Sequence, residues 1–279
     1  LWAQRDFDKV EITSERLSNQ VFILYGAGGN IGLAIGGEYA YLIDDQFGPL
    51  TEKILSHVKT LTTKPVKFVL NTHWHGDHTG GNENLAHSGA FIVAHENVRN
   101  RMSTRQDRGG GRITEPSPMA GWPVITFTDK LTLYLGNGRS MHAMHVDNAH
   151  TDGDTYYYFP EDNVLHMGDN FFNGGYPFID LNSGGDIDGL IRNLGMTLAM
   201  VDTDTKIIPG HGKLANKDAL KTYYDMLVVL RERVVQARDA GNSLVQAQAM
   251  GLSNEWDAAL GQGFINAKRI IEFIYKSAD

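Results

Sequence analysis

Between residues 20 and 47 the apolar residues come in short blocks: Val21-Phe22-Ile23-Leu24-Tyr25, then Asn30 to Ile35, then Tyr39 to Ile43, closing on Asp44-Asp45. Blocks of this length, rich in β-branched and aromatic residues and separated by turn formers, predict three strands of a meander. The stretch Gly26-Ala27-Gly28-Gly29-Asn30-Ile31-Gly32 lacks the glycine spacing of a dinucleotide fingerprint and no helical period follows it. It predicts a hairpin turn, with a place at the border of a substrate cleft as its functional reading.

From Leu50 the period changes. Leu50, Ile54, Leu55, Val58 and Leu61 fall at helical spacing, and Pro65 opens the apolar run Val66 to Leu70, so helix and strand alternate here. Asn71 to Gly81 is a polar, glycine-containing loop, and Ala90 to Ala94 is a further strand. The stretch with Arg99, Arg101, Arg105, Arg108 and Arg112 around Gly109-Gly110-Gly111 predicts a mobile surface loop whose charge is either solvated or attracts an anionic substrate. Alternation returns at Ile125, Phe127, Leu131, Leu133 and Leu135, and Met141 to Val146, Thr155 to Phe159 and Val164 to Met167 predict more strands. Ile187 to Met200 turns helical, and Ile207-Ile208 is a last short strand. Lys217 to Ala240 then carries a long apolar stripe stopped by Gly241, and Phe264 to Tyr275 is a second amphipathic helix, with Trp256, Phe264 and Tyr275 as core. Two strand-rich halves with helices between and after them predict an α/β fold, two sheets face to face with helices outside. No linker interrupts residues 1–279, so one domain is expected, with about 216–279 as a helical extension packed on it.

Composition narrows the chemistry. Of 279 residues 42% are hydrophobic and 21% charged, enough for a packed core. Lys plus Arg is 25 against 33 Asp plus Glu, a net charge of −8, which argues against a nucleic-acid partner. Every apolar run is interrupted before the ~18 residues of a membrane span, so no membrane partner is expected either. Cysteine is absent, which removes disulfides, thiolate metal sites and cysteine nucleophiles, and leaves His and carboxylates to hold any metal. Leu1-Trp2-Ala3-Gln4 reads as the remnant of a signal-peptide cleavage region or as a trimmed end. A periplasmic or secreted protein is the expectation, with the cytoplasm as the alternative.

Five of the eleven histidines fall in three places. The first is His73-Trp74-His75-Gly76-Asp77-His78, directly after an apolar strand. A His-x-His pair on an extended or turning backbone sends both imidazoles to one side, where they can bind one cation, while Asp77 and His78 project elsewhere and suit a second. His150 in Asn148-Ala149-His150-Thr151-Asp152, Asp169 in His166-Met167-Gly168-Asp169-Asn170, and His211 in Pro209-Gly210-His211-Gly212 each lie just past a predicted strand. The other histidines (His57, His87, His95, His142, His145, His166) match no ligand position and are read as structural.

In spacing and order these motifs resemble the metallo-β-lactamase-fold hydrolase superfamily, from about Val21 to His211. The resemblance implies an αββα four-layer sandwich. It implies that His73, His75 and His150 bind one metal, that Asp77, His78 and His211 bind a second, and that Asp169 bridges them. Asp44 matches the superfamily's buried aspartate, supporting the ligands from behind. Two zinc ions are the implied cofactors, with iron or manganese as alternatives. A metal-bridging hydroxide would attack a carbonyl of a small-molecule substrate, with Asp77 as the catalytic residue that orients the nucleophile and passes a proton to the leaving group.

Departures from subfamily patterns sort the substrates. The β-lactamases with a cysteine ligand have Cys at the position of Asp169 and Lys at that of Phe172. Those with HxHxDH have Ser at the position of Asp169, so a bridging carboxylate looks more like hydroxyacylglutathione hydrolases and lactonases. The expected reaction is hydrolysis of a β-lactam, lactone or related ester or amide, with a hydroxyacylglutathione-type thioesterase as the alternative. An iron-dependent oxidoreductase similar to persulfide dioxygenases and a non-catalytic metal-bound protein are further alternatives. The former usually loses the second-site ligands, which this chain keeps. Asn170, Phe171, Phe172, Asn173 and Tyr176 are expected as pocket walls or core, and Trp74 as a wall.

Overall fold

The computed structural model describes residues 6–279, so the reading of Leu1 to Gln4 lies outside the described residues. The first half contains β1 (Thr13–Arg16), β2 (Val21–Tyr25), β3 (Ile31–Ile35), β4 (Ala40–Ile43), α1 (Thr51–Leu61), β5 (Val66–Leu70), α2 (Gly76–Thr79), α3 (Asn82–His87), β6 (Phe91–His95) and α4 (Glu96–Ser103). A two-stranded ribbon, β7 (Gln106–Asp107) with β8 (Ile113–Thr114), leads to β9 (Ile125–Phe127). One seven-stranded sheet has the order β1-β2-β3-β4-β5-β6-β9, antiparallel as far as β4 and parallel beyond it.

The second half supplies β10 (Lys130–Gly136), β11 (Arg139–His145), β12 (Thr155–Phe159), β13 (Val164–His166), β14 (Phe172–Asn173), α5 (Ile187–Met200), β15 (Lys206–Ile208) and β16 (His211–Gly212). A five-stranded sheet runs β10-β11-β12-β13-β15, and β14 pairs separately with β16. The helices α6 (Lys217–Asp239), α7 (Leu244–Ala249), α8 (Asn254–Leu260) and α9 (Ala267–Ser277) complete the chain.

Three apolar clusters make the layers. Val21, Ile23 and Ile43 of the first sheet meet Met141, Tyr157 and Ile208 of the second in one core between the sheets. Phe22, Leu24 and Leu42, on the alternate positions, pack outward against Ile54 and Val58 of α1. Tyr156 and Ile207 do the same on the far side, against Leu190 of α5, Leu227 of α6 and Ile270 of α9. Both faces of the central strands are therefore buried, which is why they read as continuous apolar runs. The expected αββα order is present, with C-terminal helices on the second sheet.

The differences have local causes. β1 has the sequence Thr-Ser-Glu-Arg and lies on an edge, largely exposed, so pairing rather than burial defines it. The stretch expected as a mobile arginine loop begins as α4, which buries Val98 and Met102 at i, i+4 while its other positions are polar, and continues as the β7–β8 ribbon. The alternation from Ile125 to Leu135 is two strands in different sheets, because the chain crosses over at Thr128-Asp129. α9 begins at Ala267 behind an Asn266 cap, leaving Phe264 outside the helix and 73% exposed rather than in the core. No helix among the described residues is long and apolar enough to cross a membrane.

Candidate metal centre

Every candidate ligand sits just past a strand of one of the two sheets, in a loop, on the short helix α2 or, for His211, at the start of β16. His73, His75, Asp77 and His78 follow β5 and enter the single turn of α2; His150 follows β11, Asp169 follows β13, and His211 follows β15. The loops are tied together by buried polar side chains. Asp154 Oδ2 accepts from the backbone N–H of His150 (2.7 Å) and from Asn170 Nδ2 (3.0 Å), joining the His150 loop to the Asp169 loop. Asn30 Nδ2 donates to the carbonyls of Pro209 (2.9 Å) and Gly212 (2.8 Å), holding the His211 loop against the glycine turn.

Two glycines have no room for a side chain. A Cβ on Gly210 would lie 2.1 Å from Asp169 Oδ1, and one on Gly29 would lie 2.1 Å from His78 Cε1. The glycine turn does border the site.

The structure brings all seven sequence-predicted residues into two adjoining groups. His73, His75, His150 and Asp169 form one, and Asp77, His78 and His211 the other, with candidate ligand atoms in each lying within 4.8 Å of one another. Asp169 faces both. Its Oδ2 lies 3.8 Å from His73 Nε2 and 3.6 Å from His150 Nε2, while its Oδ1 lies 3.1 Å from His78 Nε2 and 3.3 Å from His211 Nε2. Asp77 Oδ2 is 3.5 Å from His211 Nε2.

The ring orientations are set from behind. Asp44, fully buried with φ of 63°, accepts the Thr72 N–H on Oδ1 and both the Thr72 hydroxyl and His78 Nδ1 on Oδ2, each at 2.7 Å. The Thr72 hydroxyl is also 3.0 Å from His73 Nδ1. His75 Nε2 meets Asp180 Oδ2 at 2.8 Å, and His150 Nδ1 meets the Phe178 carbonyl at 2.7 Å. These contacts leave His73 Nε2, His75 Nδ1, His78 Nε2 and His150 Nε2 pointing inward. Buried His73 Nε2, His78 Nε2 and Asp169 Oδ1 have no hydrogen-bond partner among the described residues. Orphaned buried polar atoms are rare, and three converging in one place are the signature of a group that binds a cation.

Protonation follows the same geometry. Burial, helped by the neighbouring imidazoles, holds His73 well below its ordinary value, and burial lowers His75 to about 4, so both are neutral donors at physiological pH. Burial alone would raise the Asp169 carboxyl, but His211, His78 and His73 hold it well below the usual carboxylate range. Burial would lower His78 and His211, but the Asp169 carboxylate beside them raises both, so a cation bound there would take the place of their protons. Imidazoles with an ionised carboxylate and no thiolate fit divalent cations of the zinc, iron and manganese class.

The fold, the ligand order and the two-sided aspartate agree with a family model described as the metallo-beta-lactamase superfamily, which matches residues 24–213. The chain belongs to the metallo-beta-lactamase superfamily. Among curated superfamily proteins, a hydroxyacylglutathione hydrolase of Polaromonas sp. (strain JS666) is 33% identical over 171 residues, 58% of this chain and 56% of its own. Another, from Nitrosococcus oceani, is 29% identical over 150 residues, 53% of this chain and 49% of its own. The chain spans about half the length of these curated relatives. A solved metallo-beta-lactamase from Pontibacter korlensis superposes with a TM-score of 0.64 at 21% identity, over 78% of this chain and 99% of that one, a likeness of fold.

Other expectations divide. Phe172 stacks on His211 with ring centroids 5.1 Å apart and walls the site. Phe171 and Tyr176 are buried in the core beneath it, Tyr176 Oη donating to Asp257 at 2.8 Å. Trp74 is buried beside His75. His95 and His145 stack on each other at 3.7 Å, and buried His166 contacts the Asn30 carbonyl, so these are structural as expected. Sequence reasoning missed Thr72, Asp154, Phe178 and Asp180. An acid inside the run Pro177-Phe178-Ile179-Asp180-Leu181 was the available signal for Asp180, since burial demands a partner for its charge.

Proposed function

We propose that this superfamily member is a dinuclear metal-dependent hydrolase of acyl substrates. A thioester is the first candidate substrate, and a β-lactam or lactone the next. The observation that carries this reading is the division of Asp169, one oxygen toward each histidine group. His73, His75 and His150 would hold one ion and Asp77, His78 and His211 a second, with Asp169 shared; zinc is the expected metal. Such a pair supplies a water acidic enough to ionise near neutral pH and a Lewis acid for a carbonyl oxygen.

The chain's own residues do the positioning. Asp44, Thr72 and Asp180 hold the imidazoles in the tautomer that presents a lone pair inward. Asp77, beside His211 and partly open to solvent, would take a proton from the attacking water and return it to the leaving atom. Phe172 and Trp74 exclude water from the flanks. The thioester preference rests on the relatives named hydroxyacylglutathione hydrolase and on a carboxylate at the shared position. The complete second ligand group favours hydrolysis over single-iron oxygen chemistry.

The test is metal analysis of the purified protein together with initial rates on a glutathione thioester, a chromogenic cephalosporin and a simple lactone after reconstitution with zinc. Two equivalents of metal and kcat/KM at or above about 10⁴ M⁻¹s⁻¹ for one class are expected. One iron per chain with no hydrolysis in any class would overturn the proposal.

A further inference from the structure

The β7–β8 ribbon brings one arginine to the metal centre. Arg108 lies with its guanidinium carbon 4.6 Å from the centroid of the Trp74 ring, and Trp74 is the residue between the two His of the first ligand group. Its Nη2 is 4.0 Å from Asp180 Oδ2, the oxygen that holds His75 Nε2 at 2.8 Å. The backbone is pinned by a residue distant in the chain, Asn182, whose Nδ2 donates to the Arg108 carbonyl at 3.0 Å. The cation is therefore fixed about one side chain outward from a candidate metal ligand.

Other arginines of the same stretch are occupied. Arg101 makes a two-pronged pair with Asp152 (2.7 and 2.6 Å), Arg99 donates to the Pro123 carbonyl, and Arg112 Nε reaches the Gly109 carbonyl. Arg105 is exposed beside Glu115. The Arg108 guanidinium donates no hydrogen bond to any described residue, although its side chain is only 26% exposed. Asp180 does not supply one, because its Oδ2 is taken by His75 and by Ser183 Oγ at 2.8 Å, and 4.0 Å is beyond hydrogen-bond reach.

A largely desolvated guanidinium with five unused donors, held over an indole, is preorganised to receive a planar anion in two-pronged fashion. We infer that Arg108 selects the substrate by binding a carboxylate outside the reacting acyl group. Resting on the hydrolase reading above, this narrows it. Glutathione thioesters and cephalosporins both carry a free carboxylate, and simple neutral lactones do not.

The experiment uses the metal-loaded protein and two probe pairs: a glutathione thioester and a chromogenic cephalosporin, each as the free acid and as its methyl ester. Wild type is expected to favour the free acid of its preferred pair at least tenfold in kcat/KM. In Arg108→Met, which keeps an apolar stem over Trp74, that ratio falls toward one. The loss is carried by a KM for the acid raised about 10- to 100-fold, the weight of a charge-assisted pair, while kcat moves little. Arg108→Lys keeps the charge without the fork and falls between. Metal content and melting temperature accompany each variant. A wild type that treats acid and ester alike, or an Arg108→Met that weakens both equally or changes neither, overturns the role of Arg108 and leaves the hydrolase reading standing. A wild type that hydrolyses no probe overturns that reading and this one with it.

Discussion

Asp44→Asn is the most informative single substitution, because it changes charge and donor pattern and little else. Asn tolerates the left-handed φ of 63° at this position, so the backbone is not strained by the exchange. The carboxylate accepts three hydrogen bonds at 2.7 Å, from the Thr72 N–H, the Thr72 hydroxyl and His78 Nδ1. A carboxamide has one oxygen. If its NH₂ replaces Oδ1 it faces the Thr72 N–H, donor against donor; if it replaces Oδ2 it faces His78 Nδ1. In the second arrangement His78 keeps a hydrogen bond only by moving its proton to Nε2, the nitrogen that points at Asp169.

The first arrangement orphans one buried donor, at a cost of about 1–3 kcal/mol, and the second moves the His78 proton onto the nitrogen that would bind a metal. At about 2 kcal/mol the melting temperature of chelator-treated protein falls by roughly 4–8 °C for a chain near this size. Losing the residue that orients a metal-binding His weakens that metal about 10- to 100-fold. The expected readout in a zinc titration followed by a colorimetric competitor is a weakened second equivalent, with kcat falling alongside. A variant with unchanged melting temperature and two tight equivalents would refute the claim that Asp44 sets the His78 tautomer.

Asp169→Ala removes the carboxylate that faces both groups; turnover falls by at least about 10³-fold and bound metal drops below two equivalents, as measured by elemental analysis. Gly29→Ala puts a methyl 2.1 Å from His78 Cε1, so activity falls while the far-ultraviolet circular dichroism stays as in wild type; full activity would contradict the close approach. His166 titrates at about 4, held down by burial despite Asp44 and the Asn30 carbonyl, against about 6.5 unfolded. As pH falls below about 6.5 the unfolded chain gains a proton that the folded one refuses, so stability is complete above that pH and declines toward pH 4, by up to about 3 kcal/mol. His166→Gln shallows that limb of the melting profile of metal-free protein, and an unchanged slope would remove His166 as a contributor.

Local chemistry made much of the centre legible before any fold was drawn. Two ligands spaced as in His73-x-His75 must share a side of the chain, and His150, Asp169 and His211 each stood just past an apolar run. The layered fold was legible for the same reason: strands buried on both faces have to be apolar at successive positions, as Val21 to Tyr25 are. Elements held by pairing or by a few anchors were not. β1 is a polar edge strand, and α4 hides two buried positions, Val98 and Met102, in an arginine-rich stretch.

What needed the tertiary structure was every relation between residues far apart in the chain. Asp180 stands 105 positions from the His75 it orients, and Asn30 nearly 180 from the Pro209 carbonyl it holds. Arg108 read as one of five interchangeable charges until the ribbon folded back over Trp74 and left its half-buried guanidinium without a hydrogen-bond acceptor among the described residues. Residue type and spacing determine which groups are able to bind a cation and on which side of the local chain they project. Only packing decides which distant acid or carbonyl fixes their tautomers, because a hydrogen bond depends on ångström distances that the loops acquire when both sheets close on a common core.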